Sequence, residues 1–106
     1  MNTQDIPSRV LHPYIEHRLG VQGGRAVIKG SRFPVSSIVQ DYRRGLSVEE
    51  ILRDFPALRP AEVHDALSYY YDHRTEIDQE IAELTDLDAA MRKYPPTLLP
   101  PANDRH

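Results

Sequence analysis

Prolines and glycines cut the middle of this chain into three amphipathic stretches, and that punctuation limits the possible folds more than any other feature. Pro34 suits the entry to a helix, and Val35, Ile38, Val39 and Tyr42 then recur on one helical face. Gly45 predicts the C-terminal stop of that helix. Ser47 with Glu50 three residues on is a capping-box pattern, Val48, Ile51, Leu52 and Phe55 supply the second apolar stripe, and Pro56 stops it. Pro60 is a good first-turn residue for a third helix, although Arg59 before it is a poor N-cap.

The third stripe holds Val63, Ala66, Leu67, Tyr70, Ile77, Ile81, Leu84 and Met91, with Tyr70, Ile77, Leu84 and Met91 spaced by seven. This spacing predicts one helix running from Pro60 past Met91, longer than a three-helix domain needs. The part beyond about Arg74 must bury its apolar face against a partner, a second copy or its own domain. Four prolines between Pro95 and Pro101 then rule out a helix and favour an extended tail carrying Leu98 and Leu99. Upstream, Ala26-Val27-Ile28 between glycines reads as a short strand, and Tyr14-Ile15 as a second. Such a ribbon is marginal alone, and pairing of strands between two chains is plausible.

At 106 residues the chain is the size of one small domain, with modest stability expected. Absence of cysteine excludes disulfides and thiolate metal sites and fits a reducing cytoplasm. No membrane segment or signal peptide is expected. Net charge is −3, unevenly spread: residues 1–59 hold nine Lys/Arg and six Asp/Glu, residues 60–106 hold four and ten. A basic front and an acidic back suggest two tasks.

Gly23 to Val35, GGRAVIKGSRFPV, has the ingredients of a phosphate loop in the wrong order. Lys29 precedes Gly30, and Ala26 to Ile28 is strand-like. Its glycines read instead as turns at the ends of a strand. The histidines His12, His17, His64, His73 and His106 lack metal-ligand spacing, and the serines lack an activating context. No enzyme, metal or cofactor is expected.

The order of helix, glycine turn, Ser-capped short helix, proline turn and longer helix is that of a helix-turn-helix domain. In that reading the start of the third helix meets base edges. Arg59 and His64 suit DNA there, Glu62 and Asp65 oppose it, and Lys29, Arg32, Arg43, Arg44 and Arg53 contact the backbone.

Three pieces, GGRAVIKGSRFPVSSIV, DYRRGLSVEEILRDFPAL and AEVHDALSYY, resemble the domain-of-unknown-function 433 family from Ile15 to about Tyr71. The family's GTR triplet is Gly30-Ser31-Arg32 here, which keeps the hydroxyl. The resemblance implies a mainly α, homeodomain-like, three-helical helix-turn-helix bundle with a short N-terminal β-ribbon and a long C-terminal helix plus tail. It also implies a VapB-like antitoxin that binds its own operator and neutralises a nuclease toxin with a PIN-like fold.

Combined with the charge split, the expected organisation is a leader at 1–11, a dimeric DNA-binding domain at 12–75 and a partner-binding segment at 76–106. Ile77, Ile81, Leu84, Leu87, Met91, Arg92, Lys93, Tyr94, Leu98 and Leu99 are the expected toxin contacts. Arg92 or Lys93 is expected to reach the toxin's metal-binding carboxylates. The expected partners are therefore the toxin, double-stranded DNA and a second copy. The alternatives are a stand-alone transcriptional regulator, or an interaction module without DNA binding.

Overall fold

The computed structural model describes residues 11–93. The leader residues 1–10 and the expected contacts Tyr94, Leu98 and Leu99 lie outside them. Two short strands, β1 (Ile15–His17) and β2 (Ala26–Ile28), pair antiparallel with Ile15 opposite Ile28 and His17 opposite Ala26. The pairing is within one chain, not between two. Residues 18–25 turn back tightly enough to close the hairpin, through a 3-10 turn at Gln22–Gly24.

Four helices follow: α1 (Val35–Arg43), α2 (Val48–Asp54), α3 (Pro60–Asp72) and α4 (Arg74–Lys93). The strand leads into α1 through the Gly30-Ser31-Arg32 turn. Gly30 has φ +79°, which favours glycine. The Ser31 hydroxyl donates to the Ile28 carbonyl at 2.8 Å and accepts the Phe33 N–H at 3.0 Å. The hydroxyl at this position thus closes the turn that aims α1. At the other end of α1, Gly45 (φ +91°) ends the helix. The capping box then forms as expected: Glu50 N–H donates to Ser47 Oγ at 3.1 Å, and Ser47 N–H to Glu50 Oε1 at 2.8 Å.

At α3, Arg59 cannot accept the N3 amide, because a guanidinium has no acceptor. Half of a box remains, since Glu62 Oε1 accepts the Arg59 N–H at 2.8 Å. Arg59 is thus the poor N-cap expected of it, making no side-chain cap hydrogen bond.

The single long third helix is also corrected. His73 adopts φ −133°, ψ 46°, which breaks the run into α3 and α4. Its N–H still closes α3 on Tyr69 O, and its carbonyl accepts the Ile77 N–H to start α4. Aromatic packing accompanies the break: the His73 ring stacks on Tyr69 at 4.1 Å, and the run Tyr69 to Tyr71 has weaker helix propensity than Ala or Leu. The change of direction returns α4 to its own domain. Ile77 is fully buried and Ile81 nearly so, in one core with Ile28, Val35, Ile38, Ile51 and Val63. The expected boundary between 75 and 76 therefore cuts through the core, and the packed unit extends to Ile81.

Candidate functional site

The basic residues expected on DNA fall into two groups. The rings of Phe33 and Phe55 meet edge to face at 5.4 Å, which brings the start of α1 to the end of α2. Arg32 and Arg53, both exposed, flank that contact in the sequence. Lys29 is tied to the same region by its N–H to the Tyr14 carbonyl, 2.7 Å, and the Arg59 guanidinium lies 5.0 Å over the Tyr14 ring. Lys29, Arg32, Arg53 and Arg59 thus gather around the α2–α3 corner, with exposed His64 one turn into α3.

Arg43 and Arg44 sit elsewhere, at the far end of α1, about 13 Å along its axis. There Arg43 faces Asp78 at 3.4 Å and Arg44 bonds Asp41 at 2.7 Å. They are not part of the corner group. The acids that opposed DNA have inward tasks. Glu62 Oε1 accepts the Arg59 N–H, while its Oε2 faces the Arg59 guanidinium at 3.6 Å. Asp65, largely buried, accepts the Tyr14 N–H at 2.8 Å and faces His12 Nδ1 at 3.2 Å.

The expected partner contacts divide as well. Ile77 and Ile81 belong to the core and are corrected on that ground. Beyond Ile81 the stripe continues with Leu84 half-buried, Leu87 59% exposed and Met91 41% exposed. Arg92 is exposed and pairs with Asp88 one turn back; Lys93 is exposed at the end of α4.

A feature with no local sequence signal lies between the 3-10 turn and α4. An open cleft of about 380 Å³ is lined by Gly23, Gly24 and Arg25 on one wall and Glu76, Glu80 and Glu83 on the other. Glu80 is 6% exposed and lies against the buried Ser36 hydroxyl, which has no other partner among the described residues. Burial pushes the Glu80 carboxyl above the usual range, with Ser36 and Arg25 opposing. A carboxyl raised on folding contributes stability below its unfolded value near 4.5, and that contribution is lost as pH rises through the folded value. Glu80→Gln stays neutral throughout. It is therefore expected to melt above the parent at neutral pH, with the gap closing on acidification. Melts at both pH values check this, and a lower melting temperature for the variant at neutral pH would refute it.

Next to this cleft, the Tyr69 hydroxyl donates to Glu76 at 3.0 Å, and burial together with that carboxylate pushes the phenol upward. Among the described residues no cluster could hold a metal ion, and no helix is long and apolar enough to cross a membrane.

Comparison with known proteins adds the family. No curated protein matches the chain. A crystal structure of a DUF433 member protein from Anabaena variabilis ATCC 29413 is 27% identical, with a TM-score of 0.62. The match covers 77% of this chain and 99% of that one. The family described as "Protein of unknown function (DUF433)" matches residues 15–70, over half of the sequence. With the strand, the Ser31 turn and the capped helices all inside that span, the chain belongs to the DUF433 family.

Proposed function

We propose that this chain is the antitoxin of a type II toxin-antitoxin pair. The observation that carries the reading is the outer half of α4. A helix whose inner turns fill the core continues for three more turns with Leu84, Leu87 and Met91 along one side. An exposed apolar stripe on a helix end that the fold itself does not need is suited to docking in a partner's groove. The partner in this reading is a PIN-like nuclease, with Arg92 and Lys93 at the helix end supplying cations toward its acidic centre.

In the same reading α2 and α3 form a homeodomain-like helix-turn-helix that binds operator DNA as a homodimer in the cytoplasm. Support comes from the cluster of Lys29, Arg32, Arg53 and Arg59 at the α2–α3 corner, and from the inward engagement of Asp65, which removes one acid that would oppose phosphate. A stand-alone regulator is the second reading, favoured by the same α4 stripe if a second copy covers it.

The test is co-expression with the protein encoded beside it. A tagged chain is expected to retain that protein, and Leu87→Asp with Met91→Asp to lose it. The duplex arm uses the adjacent promoter DNA. Replacing Arg32, Arg53 and Arg59 by Ala is expected to flatten the slope of log affinity against log salt by about 0.9 for each phosphate no longer neutralised. A folded dimer that retains no neighbour and binds duplex moves the assignment to the stand-alone regulator. Absence of both activities refutes the antitoxin and the regulator together.

A further inference from the structure

The bend between α3 and α4 rests on one residue. His73 is non-helical, yet the bonds on either side of it are helical ones. Its N–H donates to the Tyr69 carbonyl at 2.9 Å, and its carbonyl accepts the Ile77 N–H at 3.1 Å. Sharp helix breaks ordinarily sit at proline, at glycine or at an inserted group. Residues 69–78 contain neither glycine nor proline. A continuous helix through His73 would add bonds from the Arg74, Thr75 and Glu76 N–H groups to the Tyr70, Tyr71 and Asp72 carbonyls. The local chain is thus compatible with a straight helix. The seven-residue spacing of Tyr70, Ile77, Leu84 and Met91 also runs through the break without a shift.

What holds the bend is tertiary. From α3, the Tyr69 hydroxyl donates to Glu76 at 3.0 Å and the Tyr70 hydroxyl to Asp78 at 2.8 Å, both across the break on α4. Ile77 and Ile81 fill a core built from β2, α1, α2 and α3. Straightening in a lone chain would strip both side chains out of that core and expose them to water. A second copy offsets that loss, because its own core offers the same place to the incoming helix.

We propose that two copies of this chain exchange α4. In the exchanged dimer α3 and α4 join through His73 into one helix about 50 Å long, and the Ile77 and Ile81 of each copy enter the core of the other. The packing of α4 on the core is the same in both forms, so the two differ at the hinge and in the entropy of association. High concentration during refolding therefore favours exchange, and dilution favours the bend. The exchange uses the inner half of α4 and does not depend on the toxin or DNA readings.

The test asks which α4 lies on which α1. Gln40 on α1 and Thr85 on α4 line one small cleft between these helices, and the chain has no cysteine of its own. After refolding at millimolar concentration and oxidation, Gln40→Cys with Thr85→Cys is expected to run as a covalent dimer on a non-reducing denaturing gel. Refolded at nanomolar concentration, it is expected to run as an internally linked monomer. Neither single variant is expected to give that dimer.

Three hinge variants, read by sedimentation, separate the bend from the helix. Proline suits the first position of α4 but not the interior of a continuous helix. Arg74→Pro is therefore expected to lower the dimer association constant more than about a hundredfold, with the monomer's melting temperature kept. Arg74→Ala takes the same guanidinium away from the Tyr70 and Tyr71 rings and is expected to keep the dimer. His73→Ala raises helix propensity once per chain, and the association constant is expected to rise up to about tenfold. An internal link alone at every concentration overturns the proposal; a dimer joined through the outer α4 stripe would give that result. A covalent dimer that either single variant forms equally overturns it too, as does one that Arg74→Pro leaves at the parental level.

Discussion

Replacing Ile77 by Ala is expected to destabilise this protein severely, while Leu87→Ala, ten residues further along the same helix, leaves it intact. Ile77 is fully buried against α1 and α3, and its side chain is among the largest of those with no exposure. Removing it takes away apolar contact and leaves a cavity that the surrounding Val and Ile side chains fill only in part. Together these cost about 2–5 kcal/mol. Against a typical total of about 5–15 kcal/mol, the loss is a large share of what holds the fold. For a domain of this size each kcal/mol moves the melting temperature by about 4–8 °C, so a fall of about 8–40 °C is expected. Leu87, at 59% exposure, removes little contact with the domain when truncated, and its stability effect is expected within about 0.5 kcal/mol.

The pair of variants therefore separates two roles that the expected set of partner contacts merges. Failure of Ile77→Ala to retain a partner would report unfolding; the same failure in Leu87→Ala at unchanged melting temperature would report a docking surface. A melting temperature for Ile77→Ala within a few degrees of the parent would mean that α4 is not part of the core in solution. The three-helix reading would then stand.

How much of this was legible in the sequence depended on whether the signal was local. Gly45, Ser47, Glu50, Pro56 and Pro60 act within one turn of themselves, and the elements they bound are where the pattern put them. The break at His73 was not legible. No glycine or proline marks it, and beside the local Tyr69 stack the His73 ring meets His12, more than fifty residues away. The tasks of Glu62 and Asp65 divide the same way. Glu62 follows Arg59 by three residues and was open to a capping argument. Asp65 serves the Tyr14 amide, a partner that only the fold supplies.

Glu80 hid for a related reason. In an acidic helix it reads as one more solvated carboxylate, and it is buried only because the turn at His73 lays α4 on Ser36 and Arg25. The basic corner was half legible. The sequence named Lys29, Arg32, Arg53 and Arg59, and also Arg43 and Arg44, which the length of α1 carries away.

The N-terminal segment is expected to come loose from α3 when Asp65 is replaced by Ala. Asp65 is 11% exposed and makes two contacts to that segment: Oδ2 accepts the Tyr14 N–H at 2.8 Å, and Oδ1 faces His12 Nδ1 at 3.2 Å. The second imidazole nitrogen of His12 faces Asp72 Oδ2 at 2.8 Å, so one ring bridges carboxylates a full two turns apart on α3. Its edge rests on Tyr69 at 5.3 Å.

Truncating Asp65 leaves a backbone donor unpaired and a ring nitrogen without its acceptor, for a loss of about 2–4 kcal/mol. Asp72, 56% exposed, is solvated on its outer side, and its Ala variant is expected to lose under about 1 kcal/mol. Because Asp65 and His12 share one contact, the double variant is expected to fall short of the sum of the singles by about 1–2 kcal/mol. Denaturant melts of the parent, both single variants and the double variant measure that coupling. Amide exchange in β1 gives the local readout, rising in Asp65→Ala before the helices are affected, since Tyr14 leads directly into the strand. Additive energies, with β1 exchange unchanged, would mean that strand pairing with β2 holds this segment by itself, and that the His12 bridge is a surface contact of no mechanical consequence.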